Sequence, residues 1–127
     1  MGHFDLFRND HNTQDFAAGK VIFKKGDPGD LMYIIQSGKV DILLLDTVFD
    51  SLGEGEALGE MAVINPGCPR SASAIAKTAC RLVIIDQKRF TFLVQQNPYF
   101  SIEIMKTLAD RLGRMNLRAE NNELPLS

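Results

Sequence analysis

The sequence predicts a mainly β domain, a sandwich or small barrel, with α-helices flanking it. Three observations carry this. Short β-branched and aromatic runs recur from Val21 to Leu52. Clusters of Gly, Pro, Asp and Ser separate them and supply turns. After Asp86 that punctuation thins, and apolar residues recur at steps of three and four, the period of a helix. At 127 residues, 45% of them apolar, the chain is long enough for one domain with a real core.

Met1 to Thr13 is polar, with Phe4, Leu6 and Phe7 as its apolar contacts, and reads as an N-terminal cap over residues 1–13. A β region is expected over residues 14–86. Its first clear strand is Val21-Ile22-Phe23, followed by the dense turn Gly26-Asp27-Pro28-Gly29-Asp30. Leu31 to Ile35 is the next apolar run, and Ser37-Gly38 turns it. Lys39 to Leu45 continues as a strand, Asp46-Thr47 turns, Val48 to Leu52 returns, and Gly53-Glu54-Gly55 ends the series. Ser73 to Ala76 and Arg81 to Ile85 read as two further strands. Asp86 is placed to N-cap a helix over Gln87 to Gln96. Asn97-Pro98 restarts the chain as a second helix to about Asn121, roughly 35 Å at 1.5 Å per residue. These helices fill residues 87–121, and 122–127 is a polar tail. Met105, Leu108, Leu112, Met115 and Ala119 form a seam on the last helix, widened by Ile102 and Ile104. Its first half is expected to pack on the β region, and its second half to serve as a dimer contact or a lid.

The stretch 58–72, Leu-Gly-Glu-Met-Ala-Val-Ile-Asn-Pro-Gly-Cys-Pro-Arg-Ser-Ala, carries the chemistry. Gly59 lacks a Cβ and lets a ligand approach the backbone. A helical turn starting there aims N–H groups at an anion. Arg70 offers a planar fork of donors that fits a phosphate. Glu60 can only accept, which suits a sugar hydroxyl and not a phosphate. Base and amides for phosphate, with acid for hydroxyl, describe a nucleotide with a free ribose hydroxyl.

Gly59-Glu60 and Arg70-Ser71-Ala72, with their intervening spacing, resemble the phosphate-binding cassette of the cyclic nucleotide-binding domain family. Phe16 to Phe23, Gly26 to Asp30, Tyr33 to Val40 and Ala76 to Cys80 are similar to the same family's strand-turn-strand pattern. The resemblance covers roughly residues 14 to 115. It implies a double-stranded β-helix jelly roll with a short cassette helix and C-terminal helices. It implies Glu60 accepting from the ribose 2′-hydroxyl and Arg70 pairing with the cyclic phosphate. Backbone N–H groups near Met61, Ser71 and Ala72 would complete the cradle, with the Ser71 hydroxyl adding a bond. Ile42 and Phe49 fall where family members wall the purine, although barrel core would explain them equally well. Where family members reach the base from the end of the last helix with small hydroxyl residues, this chain has Met115 and Asn116. The Asn116 amide can still bond a base edge. The implied ligand is cyclic AMP, with cyclic GMP as the second choice. A module of this fold that no longer binds nucleotide is the competing reading, and the presence of Glu60 and Arg70 counts against it.

Other classes fit poorly. His3 and His11 are the only histidines, too few and too far from the β core for a metal cluster. No nucleophile-and-base pattern is present, so no enzyme and no cofactor are expected. A net charge of −2 argues against broad binding of nucleic acid. No helix-turn-helix pattern follows the last helix, so an unidentified effector protein is the expected partner, with a homodimer through that helix as a further contact. The absence of a signal pattern or long apolar run, and two cysteines without metal spacing, give a single cytoplasmic domain over 1–127 with no membrane contact.

Overall fold

The computed structural model describes residues 7–120, with side chains to residue 117. Among these described residues eight strands run in the order β1 (Thr13–Phe16), β2 (Val21–Phe23), β3 (Leu31–Ser37), β4 (Val40–Leu44), β5 (Thr47–Leu52), β6 (Ala57–Leu58), β7 (Ser73–Ala76) and β8 (Cys80–Asp86). The short helix α1 (Met61–Ile64) interrupts them between β6 and β7; α2 (Gln87–Gln96) and α3 (Pro98–Glu120) follow. The strands form two four-stranded antiparallel sheets, ordered β1-β8-β3-β6 and β2-β7-β4-β5. Most neighbours are not consecutive in the chain, so the chain crosses between sheets as a jelly roll does.

The apolar runs at β3 and β8 are continuous because both strands are buried on both faces. Successive side chains on a strand point to opposite faces. Met32 and Ile34, with Val83 and Ile85, join Phe7, Phe100 and Ile104 in a core beneath the helices. Tyr33 and Ile35, with Leu82, join Val40, Leu52 and Ala74 in a second core between the sheets. The result is three layers: sheet, sheet, helices.

Several expectations need correction. β1 was not singled out, although the β region was expected from residue 14, because Thr-Gln-Asp-Phe has no apolar run. It is an edge strand held by its register on β8, from Thr13↔Val83 to Phe16↔Cys80. Thr13 therefore begins the β region and does not end the cap; residues 1–6 of the cap lie outside the described residues. The β series also does not end at Gly55. β6 follows and pairs with β3 through Tyr33↔Leu58 and Ile34↔Ala57. The β4–β5 turn is Leu45-Asp46, one residue earlier than expected. Both residues have positive φ, 49° and 65°. That is the conformation of a two-residue hairpin loop, for which Leu gives no sequence signal. Asp86 caps α2 as expected, accepting from Arg89 N–H at 2.8 Å. On α3 the buried face is Phe100, Ile104 and Thr107, whereas Met105 and Leu112 are 59% and 60% exposed. In the first half of the seam Ile104 is buried and Leu108 packs against the core as expected, whereas Ile102 and Met105 face solvent. Steps of three and four run through both stripes, and the aromatic anchor Phe100 decides which turns inward. Ala119 and the tail lie beyond the described side chains.

The β1 side of the molecule carries a pH-sensitive tie. Arg89 of α2 pairs with Asp10, and the Asn12 N–H also donates to that carboxylate at 2.9 Å. Burial raises the Asp10 pKa, but the Arg89 hydrogen bond, the Asn12 N–H and the charges of Arg89 and His11 outweigh it, and the net shift is downward from 3.8. A carboxyl held lower in the folded state stabilises fully above its unfolded value and loses that contribution as pH falls through the folded one. Acid unfolding of Asp10→Asn is expected to lack this component: the wild-type advantage over the variant should shrink as pH drops below about 4.

Candidate functional site

A cavity of about 400 Å³ opens between β4, β5, the cassette and α3. Arg70, Gly59 and Glu60 meet at one end of it, with Ser71, Ala72 and Met61 beside them. Ile42 and Phe49 form part of its apolar wall.

Arg70 is only 9% exposed. Its guanidinium donates to the Gly59 carbonyl at 3.3 Å and the Leu31 carbonyl at 2.8 Å. It lies over the Phe23 ring, 4.1 Å from the centroid, a cation–π contact. Burial lowers its pKa, while Tyr33, Asp30, Asp27 and Glu60 pull the other way. Arginine stays cationic under such shifts, so the site holds a partly desolvated positive charge. Conversely, burial raises the Tyr33 pKa, opposed by the nearby Arg70 charge and reinforced by Asp30.

The β2–β3 turn holds the cassette. Arg70 N–H donates to the Asp27 carbonyl, and Gly26 N–H to the Arg70 carbonyl, both at 2.8 Å. A Cβ on Gly29 would sit 2.4 Å from Arg70 Nε, a distance real Cβ atoms do not tolerate. Gly29 is thus the floor under the guanidinium as well as a turn residue. Gly59 has φ of +75°, and a Cβ there would meet Arg70 at 2.7 Å. Both glycines answer to one arginine.

Glu60 is 4% exposed. Its Oε1 accepts from Arg111 of α3 at 2.5 Å, and Arg111 also donates to the Ala57 carbonyl. Its Oε2 is buried with no hydrogen-bond partner in the structure. A buried carboxylate oxygen without a donor is costly and calls for one. One hydroxyl donor would complete this acid.

Of the residues singled out in the sequence, Asn116 is the one that does not line the cavity: it is exposed, and its neighbour Met115 takes the wall position. The reason is helical rotation. Leu108, Arg111, Leu112 and Met115 follow steps of three and four on one face, and Asn116 is turned about 100° away. Sequence reading missed Arg111, Gly29's role and Asp50. The signal for Arg111 was its place on the expected seam, three residues after Leu108 and four before Met115. Asp50, on β5, lines the cavity and pairs with Arg114 of α3 at 2.8 Å. Two acids of the β region are therefore tied to two arginines of one helix. Among the described residues no cluster of His, Cys, Asp or Glu could hold a metal ion.

Comparisons with known proteins agree with this geometry. The family described as "Cyclic nucleotide-binding domain" matches residues 13–97. The chain is 35% identical over 107 residues to a CRP-like cAMP-activated global transcriptional regulator of Mycobacterium tuberculosis, covering 80% of this chain and 47% of that protein. It is also 35% identical over 107 residues to a cAMP-dependent protein kinase regulatory subunit of Candida albicans, covering 76% of this chain and 23% of that one. The chain thus spans about half the length of the first and less of the second. Its structure superposes on the catabolite activator protein of Thermus thermophilus with a TM-score of 0.77 and 30% identity, over 91% of this chain and 56% of that one. Sheet order, cassette and family match lead to one conclusion: the chain belongs to the cyclic nucleotide-binding domain family.

Proposed function

We propose that this chain is a regulatory module that binds a 3′,5′-cyclic purine nucleotide and signals through α3. The observation that carries the reading is the pairing of the partnerless buried Glu60 Oε2 with the desolvated Arg70 in one cavity. Those two groups match a ribose hydroxyl and a cyclic phosphate. An interaction module that had lost its ligand would have no use for a buried orphan acceptor. Cyclic AMP is supported by the names of both curated relatives; cyclic GMP presents the same phosphate and ribose. The chain binds without turnover, since the site offers no nucleophile-and-base pair.

α3 is the output element. Arg111 and Arg114 tie it to the two acids of the cavity, and its outer face, away from the cavity lining, exposes Ile102, Met105 and Leu117. That face would meet an effector protein or a second copy of the chain. DNA contact by these residues is not expected at a net charge of −2. A cytoplasmic setting is supported by the free Cys68 and Cys80, and no described helix is long and apolar enough to cross a membrane.

The test is calorimetric titration with cyclic AMP and cyclic GMP, paired with hydrogen exchange over residues 108 to 120. Binding in the micromolar range or tighter, with new protection on α3, is expected. Absence of heat with either nucleotide would overturn the binding reading. Binding without any change on α3, and without a change in sedimentation, would remove the helix as output.

A further inference from the structure

β5 places one charged residue where its strand pattern calls for an apolar one. Directly opposed residues on paired strands share a face of the sheet. Val40 opposes Leu52 on β5 and Ala76 on β7, and all three are buried. Two residues along, Ile42 opposes Asp50 and Ala74. Asp50 therefore shares the inward face of the second sheet with Val40, Leu52 and Ala74. The register shifts between Ile42 and Leu43, so that Phe49 is an extra residue on β5. Such a bulge turns adjacent side chains to one side, and both Phe49 and Asp50 line the cavity.

The carboxylate is held in place. Its Oδ2 accepts from Arg114 at 2.8 Å, and its Oδ1 accepts from the Ser51 N–H at 2.9 Å. The side chain is 17% exposed. An ionised carboxylate has about four acceptor sites, so each oxygen retains one for a ligand. Ala74, two residues beyond the cassette's Ala72, lies two strand spacings from Asp50, about 10 Å. Arg70 and Asp50 line the same cavity, so a nucleotide with its phosphate at Arg70 can carry its base toward Asp50.

We propose that Asp50, oriented by Arg114, is the base-reading residue of this pocket and favours guanine over adenine. With a cyclic nucleotide in the cavity, as proposed above, Asp50 presents a two-oxygen acceptor to its interior. Guanine's Watson–Crick edge offers two adjacent N–H donors, one for each carboxylate oxygen. Adenine offers one amino donor and one ring-nitrogen acceptor. Guanine thus gains one more hydrogen bond to a charged group, a difference of about tenfold or more in affinity. A plain ion-pair latch between β5 and α3 would treat both bases alike.

The experiment titrates the full chain and Asp50→Asn with cyclic AMP and cyclic GMP, with thermal melting to show that the variant is folded. The wild type is expected to favour cyclic GMP by about tenfold. An asparagine presents one acceptor and one donor, the pattern that suits adenine. Asp50→Asn should therefore lose about tenfold or more for cyclic GMP and hold cyclic AMP within about threefold. Asp50→Ser, which also removes the charge, should move the ratio in the same direction. Equal losses for both ligands, an unchanged ratio, or a wild type that favours cyclic AMP would overturn the assignment while leaving nucleotide binding intact. Failure of the wild type to bind either nucleotide would instead remove the binding reading, and this one with it.

Discussion

Replacing Arg70 with alanine is expected to weaken cyclic nucleotide binding by roughly 30-fold to several thousand-fold, the range that follows from about 2–5 kcal/mol for stranding a buried charge partner. The loss has two sources. The phosphate loses its fork of donors, and the cradle loses its shape. Arg70 bridges the Gly59 and Leu31 carbonyls and covers Phe23, so its removal takes a donor from each carbonyl, although Gly59 keeps the Ala62 N–H. A stability loss of about 1–3 kcal/mol should accompany the binding loss. Arg70→Lys separates the two: a point charge can attract the phosphate but cannot reach both carbonyls and the ring plane at once. Calorimetry on variants shown to be folded by thermal melting is the measurement. An alanine variant that binds as tightly as the wild type would remove Arg70 from the site.

Phe100→Ala should produce the largest loss of stability, about 3–5 kcal/mol. The ring is 1% exposed and meets Phe7 and Phe90 edge-on at 5.9 and 5.6 Å. It fixes the start of α3 on the first sheet, and truncation opens a void where three aromatic rings meet. Tyr99, one residue earlier, is 76% exposed, and Tyr99→Ala should stay within about 0.5 kcal/mol of the wild type. Urea unfolding of the two variants side by side checks the contrast. Loosening the root of α3 should also weaken the hold of Arg111 on Glu60, so apparent ligand affinity should fall although the cassette is untouched. If Phe100→Ala proved as stable as Tyr99→Ala, the helix layer would not be anchored there.

The cassette was legible in the sequence because its chemistry is local. Gly59, Glu60, Arg70 and their neighbours lie within one short stretch, and their residue types state their partners. The helices were legible through Asp86 as a cap and Pro98 as a restart. What stayed hidden depends on contacts distant in sequence. β1 is a strand only because β8 offers it an edge, and Arg111 joins the site only because Phe100 sets the rotation of α3. Asp50 was read as an ordinary strand residue, since the bulge beside it is invisible without the pairing register. Asn116 was placed in the pocket by analogy of position, and a single residue of helical phase moved it out. Gly29 was read correctly as a turn glycine, but the arginine it makes room for is 41 residues away.

β3 and β8 bury one set of side chains beneath the helices and the alternate set between the sheets. They act as a party wall between two rooms. Met32, Ile34, Val83 and Ile85 can be repacked only together with α2 and α3. Tyr33, Ile35 and Leu82 can remain fixed meanwhile, preserving the sheet interior next to the ligand. A substitution on these strands therefore falls in one core or the other, and the layer it loosens depends on whether its position along the strand is odd or even.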